Sequence, residues 1–497
     1  MDDDDVSSHE ATQEQLRHIL LTQTPKRIQD LQLQLNIPTS VAATVSFLED
    51  LSQCAGHFRP DSHALLVSTV LALPWQDQEH ESECLADVVL QFIQDVVSAS
   101  PAFLCQSVAV LIKSFLQPKT VDQDTSQLSW TWTAPRVHRT LRGLLRTCPL
   151  ATTPMFQALK ENFPHKRRDA DAHIVYFKQM LAVLQYVPAL LPRIIQLVVI
   201  RLVDLDVDIT VQQSQLEETA EEEDAAIFAV DLNNDVSERD LIKMRETANK
   251  LDVMMRLLLG YIQDTCHSCQ EIANERALRI ARGEKVARRF VRRSFSYSTT
   301  TEPSEMLLTA LLSSFHSTLL PTHKCRCMQF LLFYACSFDT EFTEVFVSSL
   351  LQQVVSPHIS AELRMASATY VASFLARANF VQLGLVVTAL TKLIGWARGY
   401  ARHAIAKARA AHHHVLLDVT LHGVFYAVVQ STLYLMCYKN LMLSEPDARE
   451  DRAKFAVRIR ELLSCDLNPL KFCQENIVFE FEQTGFFGIT LGMLQKE

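Results

Sequence analysis

The chain has 497 residues, 48% hydrophobic and 21% charged, and 47 Lys+Arg against 57 Asp+Glu give a formal net charge of −10. It holds only 11 Gly, where average usage would supply about 35, and none completes G-x-G-x-x-G, G-x-x-x-x-G-K or G-x-S-x-G. This excludes the loops on which dinucleotide folds, P-loop NTPases, kinases and α/β-hydrolases build their chemistry. Tight-hairpin β folds lack their Asn-Gly and Asp-Gly turns, and the negative balance argues against a general nucleic-acid coat.

The first residues, MDDDDVSSHE, lack the positive and apolar regions of a signal peptide. Residues 1–59 are an N-terminal segment, and residues 60–205 read as N-terminal helical repeats. Pro38, Pro74, Pro101, Pro135, Pro154 and Pro188 each border a run with helical apolar spacing, as Pro321, Pro357 and Pro469 do in the second half. Phe103, Val108, Leu111, Ile112, Phe115 and Leu116 follow the i, i+3, i+4 rule. Ile174, Phe177, Leu181, Leu184 and Val187 form the next face, and Ile194, Ile195, Leu197, Val198 and Leu202 the one after Pro188. Two helices per 40 residues or so is the rhythm of HEAT or armadillo repeats.

Residues 206–303 break that rhythm as a charged insertion region. Residues 216–240 hold ten acids against one base, Arg239, and are expected to form a solvated acidic loop. A helix near 241–264 follows. The C-x-x-C at Cys266–Cys269 lacks a second ligand pair at zinc spacing, since Cys325 and Cys327 lie far on as C-x-C. The basic run 275–293 carries Arg276, Arg279, Arg282, Lys285, Arg288, Arg289, Arg292 and Arg293. It reads as an exposed basic helix or tether, as a contact for acidic surfaces or nucleic-acid phosphates, or as a nuclear-import signal. His165-Lys166-Arg167-Arg168 is a second import candidate. Ser294 and Ser296 follow the bases as candidate phosphorylation sites, where a phosphate would cancel about two positive charges.

Residues 304–475 read as C-terminal helical repeats, and residues 476–497 as a divergent, possibly truncated C-terminus. The apolar stretch Val424–Leu443 is interrupted by Gln430, Ser431, Thr432 and Lys439, which favours a buried helix over a membrane span. The 12 Cys sit mostly in apolar runs, where a free thiol packs as a small hydrophobe. No spacing fixes a catalytic dyad, a triad or a metal set, so no catalytic, cofactor-binding or metal residue is assigned. The expected fold class is all-α, a HEAT-like helical-repeat solenoid with a charged insertion in the middle.

The strings PTHKCRCMQFLLFYACSF (321–338), SFLARANF (373–380), LHGVFY (421–426) and LNPLK (467–471) are more specific. In this order they resemble the RNA polymerase I-specific transcription initiation factor family, TIF-IA. Leu73-Pro74-Trp75, His138-Arg139, Phe163-Pro164 and Leu205-Asp206-Val207 agree, so the resemblance covers roughly residues 60–475.

The resemblance implies a non-enzymatic HEAT-repeat factor of the nucleus and nucleolus, controlled by phosphorylation. Such a factor binds RNA polymerase I near its stalk and bridges it to the promoter-bound core, or selectivity, factor at ribosomal RNA genes. It implies no cofactor, no membrane and no small-molecule substrate; direct DNA contact is a further option. Within SFLARANF, Arg377 and Ser373 are the candidate partner-binding residues, while Trp75, Phe333, Tyr334 and Phe425 read as packing. The alternative is a generic HEAT-type adaptor in transport or scaffolding.

Overall fold

The computed structural model describes residues 3–22, 25–36, 40–75, 82–116, 126–225, 233–282, 303–322, 325–412 and 416–486. Among them lie twenty α-helices and no strand. In chain order they are α1 (Asp3–Thr22), α2 (Pro25–Asn36), α3 (Val41–Gln53), α4 (Pro60–Leu71), α5 (Ser82–Ala99), α6 (Leu104–Lys113) and α7 (Ser126–Thr147). Next come α8 (Thr152–Glu161), α9 (Ala170–Leu184), α10 (Leu191–Ala225), α11 (Asn233–Ala281), α12 (Pro303–Ser314), α13 (Gln329–Cys336) and α14 (Thr340–Val355). The last are α15 (Ala361–Arg377), α16 (Leu383–Ala410), α17 (Val419–Tyr438), α18 (Asn440–Leu443), α19 (Arg449–Leu463) and α20 (Glu475–Gln483).

Proline starts many of these helices. α2, α4 and α12 begin on Pro25, Pro60 and Pro303. Pro101, Pro149, Pro188 and Pro446 each open a three-residue 3-10 turn that runs straight into an α-helix. Proline presets a helical φ and lacks an N–H that the first turn could not use. Direction therefore changes without left-handed residues. Among the described residues positive φ occurs only at His412, Asn468 and Gly485.

The chain forms two compact units, Met1–Val198 with Gln212–Leu257, and Val199–Val211 with Leu258–Glu497. In the first, helices two apart in sequence pack side by side. One row runs α1, α3, α5, α7 and the other α2, α4, α6, α8. In the second unit α14, α16 and α19 form one row, and α15, α17 and α20 the other. Alternating rows are the HEAT-like arrangement, in which each helix pair buries its apolar stripe on its neighbours.

Aromatic rings, most of them edge-to-face, fill both cores. Phe58 meets Phe92 at 5.6 Å between centroids and Phe103 at 6.5 Å in the first unit. In the second, Phe374 meets Phe333 at 4.9 Å and Phe346 at 5.1 Å, and Phe315 meets Phe346 at 5.2 Å. Trp75, Phe333 and Phe425 are buried. α17 is long and apolar enough to cross a membrane, yet more than half of that window is buried. It packs on α15, α16 and α20, which makes it a core helix.

Two expectations are corrected. The acidic loop is largely helix: Glu217, Glu218, Glu221, Glu222, Glu223 and Asp224 lie on α10, and Asp235, Glu238 and Asp240 on α11. Asp231 falls outside the described residues. Glu and Ala are strong helix formers, and a helix already running from Leu191 needs no new nucleus to continue. α7 runs through Pro135 rather than starting there, giving up one backbone bond. Within residues 206–303, α10 and α11 each contribute to both compact units.

Candidate functional site

α15 ends on Arg377, and Ser373 lies one turn earlier on the same face. The exposed Arg377 donates from Nη1 to Ser373 Oγ at 2.7 Å and to the Ser373 carbonyl at 3.2 Å. The second bond satisfies one of the carbonyls that a helix end leaves open. Tyr434 on α17 lies close enough to the Arg377 guanidinium and to Tyr438 for both to act on its hydroxyl. The two tyrosine rings lie 4.5 Å apart, centroid to centroid. Burial, and after it the neighbouring Tyr438, raises the Tyr434 pKa, while Arg377 opposes the rise.

Lys439 fixes these two helix ends against each other. It is buried, and its Nζ reaches the carbonyl of Ala378, the C-cap of α15, at 3.3 Å. A cation there answers the negative end of the helix dipole, even though burial lowers the Lys439 pKa. Beside this locked corner the chain exposes large apolar side chains: Phe380 (40%), Tyr438 (62%) and Leu441 (87%). Arginine and tyrosine beside exposed apolar groups are the composition of protein-interface hot spots.

The sequence pointed to Arg377 and Ser373 but not to Tyr434, Tyr438 or Lys439. Only the i, i+4 spacing of the two tyrosines and the break at Lys439–Asn440 were readable. Their meeting with Arg377 depends on α15 packing against α17.

A second cluster joins two of the family-like strings. Asp206 on α10 is 2% exposed. Its Oδ2 accepts from Arg326 N at 2.7 Å, Cys327 N at 3.1 Å and Cys325 Sγ at 3.1 Å. Burial, then the bond to Asp206 and its charge, push the Cys325 thiol far up; burial and Asp206 raise Cys327 as well. Both cysteines are therefore poor nucleophiles at neutral pH, and the cluster anchors a loop.

Only the first part of the basic run falls within the described residues. Arg279 and Arg282 are exposed at the end of α11, and Arg276 lies on that helix with its side chain outside the described residues. Lys285, Arg288, Arg289, Arg292, Arg293, Ser294 and Ser296 also lie outside the described residues. Cys266 is buried on α11. No group of three or more His, Cys, Asp or Glu among the described residues could hold a metal ion.

Two rows of helices per unit define an all-α helical-repeat fold. The family described as RNA polymerase I specific transcription initiation factor RRN3 matches residues 6–485, and the chain belongs to it. The RNA polymerase I-specific transcription initiation factor RRN3 of Mus musculus is 27% identical over 440 residues, 83% of this chain and 61% of that protein. The rrn3 factor of Schizosaccharomyces pombe is 24% identical over 96% of this chain and 76% of its own length. The chain thus spans about three fifths of the mouse relative. The crystal structure of RNA polymerase I transcription initiation factor Rrn3 superposes with a TM-score of 0.69 at 17% identity, covering 98% of this chain and 88% of that one. That likeness speaks for the all-α fold.

Proposed function

We propose that this chain is an initiation factor that binds RNA polymerase I near its stalk and bridges it to the promoter-bound core or selectivity factor at ribosomal RNA genes. Its place of action is the nucleolus. The observation that carries the reading is the family match across residues 6–485. The rows of helices suit the task, since stacked repeats offer extended faces that hold large partners by binding alone. In this reading the Arg377–Tyr434–Tyr438 corner is a contact for the polymerase, and phosphorylation at Ser294 or Ser296 tunes the neighbouring basic run.

The test is capture of RNA polymerase I from cell extract on the tagged full chain. Polymerase subunits should be retained, and Arg377→Ala should reduce their recovery about tenfold, the loss of one central hot-spot side chain, without lowering the unfolding temperature. Capture of transport or scaffold partners with no polymerase subunit would overturn the reading in favour of a generic adaptor. A basal reaction on a ribosomal promoter, depleted of its own factor and rescued by this chain, tests the bridging step.

A further inference from the structure

In the second unit, the turn from α18 into α19 is gathered around one arginine. Arg452, in the first turn of α19, is half-buried. Its Nη1 donates to Asn440 Oδ1 at 3.0 Å, to the Asn440 carbonyl at 3.4 Å and to Ser444 Oγ. The guanidinium also lies over the Phe486 ring, 4.6 Å from its centroid. All these partners are neutral, and Arg452 forms no ion pair among the described residues. The neighbouring Glu450 is taken by Lys454, at 2.6 Å.

Ser444 caps the C-terminal end of α18 and is exposed, as are Glu445, Pro446 and Asp447 after it. Its hydroxyl donates to the Asn440 carbonyl at 2.6 Å and accepts from Arg452. An accessible hydroxyl is thus already held against a guanidinium. α18 has four residues, too few to stand as a helix without its neighbours, so the segment can open locally to an enzyme at small cost. Ser444-Glu445-Pro446-Asp447 places acids one and three residues after the hydroxyl, a charge pattern that acid-directed serine kinases select. The same spacing recurs at Ser46 and Ser237, so the arginine, and not the motif, carries the assignment.

We propose that Ser444 is a phosphorylation site and that Arg452 receives the phosphate. The Ser444 Oγ attacks the γ-phosphorus of ATP, the bond to the β-phosphate oxygen breaks, ADP leaves, and the hydroxyl proton passes to the base of the kinase. The product carries close to two negative charges and three strong acceptor oxygens, which a guanidinium meets with forked donors. Little movement is needed, since Arg452 Nη1 already touches the oxygen that becomes the ester bridge. The hydroxyl's bond to Asn440 is given up, and a charged clamp from the end of α18 to the first turn of α19 replaces it. Glu445, Asp447, Glu450 and Asp451 flank the site; they attract the kinase and repel the phosphate, so Arg452 has to offset them. Ser444 N donates to the Leu441 carbonyl at 3.0 Å, and Leu441 is 87% exposed. The modification therefore sets charge beside an apolar surface and changes which partners that surface accepts. None of this depends on the polymerase reading.

The experiment has two arms, both on the full chain. In the first, the protein is incubated with ATP and a serine kinase selective for Ser-x-x-Asp/Glu, and modified residues are mapped by mass spectrometry. Ser444 should be phosphorylated, and Asp447→Asn should slow that about tenfold, the worth of one charge-assisted hydrogen bond. Modification of other serines with Ser444 untouched would overturn the site. In the second arm phosphoserine is built in at position 444 during translation, and its second ionisation, ordinarily near pH 6, is followed by phosphorus NMR. Arg452→Gln should raise that pKa by about one unit, the effect of losing an adjacent opposite charge, and Arg452→Lys should keep most of the lowering. Unfolding the wild-type chain in urea should raise it likewise, a reference that needs no variant. A phosphate that titrates identically in the folded wild-type, the Gln variant and the unfolded chain would overturn the role of Arg452.

Discussion

Asp206 gathers two backbone N–H groups and one thiol onto a single carboxylate oxygen. Hydrogen bonds to charged groups contribute more than neutral ones, about 1.5–3 kcal/mol each, when the acceptor is buried. Arg326 and Cys327 are themselves exposed, so water recovers part of the loss. Asp206→Ala should therefore destabilise the protein by about 2 kcal/mol in denaturant titration. The same change removes two of the four influences that push the Cys325 thiol up, leaving burial and the neighbouring Cys327. Wild-type Cys325 should alkylate more slowly at pH 8 than the exposed Cys105, and Asp206→Ala should speed it; an unchanged rate would leave burial and Cys327 as the causes. The residues of this anchor stand in two recognisable strings, Leu205-Asp206-Val207 and PTHKCRCMQF. Their contact was not legible, because nothing local records a pairing across 120 residues. Arg377 and Ser373 were legible through SFLARANF, one of the strings that carry the family resemblance, and helix spacing puts the two on one face.

Elements were easier to read than their partners, for the same reason. Apolar periodicity and proline starts are written within one helix, and they located α6, α9 and the start of α10 closely. Charge density misled over 216–240, where it suggested solvation and the backbone answered to the helix propensity of Glu and Ala. Pro135 misled in the opposite direction, since α7 tolerates it. Packing energy concentrates where rows meet. Phe374 on α15 is fully buried between Phe333 of α13 and Phe346 of α14. Truncating such a ring removes its transfer energy and leaves a cavity, costing about 3–5 kcal/mol. Phe374→Ala should show that loss in urea unfolding. Because Phe374 precedes Arg377 by one turn, the variant should also weaken polymerase capture, whereas Arg377→Ala should leave stability intact. Equal stability of the two variants would mean that the ring cluster does not hold the corner.

At the scale of the molecule, buried histidines in both units make stability depend on pH. His63, His138 and His173 in the first unit and His316 and His422 in the second are all held below their ordinary value of 6.5, with burial the largest cause in each. His63 shows why the neutral ring is required. It is fully buried, and its Nδ1 accepts the backbone N–H of Arg59 at 2.9 Å; a proton on that nitrogen would break the bond and bury a charge. His138 is similar, placed between the Tyr186 hydroxyl at 2.8 Å and Gln179 Oε1 at 2.9 Å. With the folded value below the unfolded one, the unfolded chain binds more protons as the solution is acidified. The contribution is then complete above about pH 6.5 and is lost as pH falls toward the lowered folded values. Exposed carboxylates behave differently: Asp418 and Glu450 are held below 3.8 and 4.5 by their partners, so their loss begins only in stronger acid. Urea midpoints should therefore fall between pH 7 and pH 5, before Asp418 and Glu450 titrate. His138→Gln, which keeps a polar group between the same partners without a titrating ring, should make that fall shallower. A midpoint that stays level until pH 5 would show that the carboxylates alone set the acid limit.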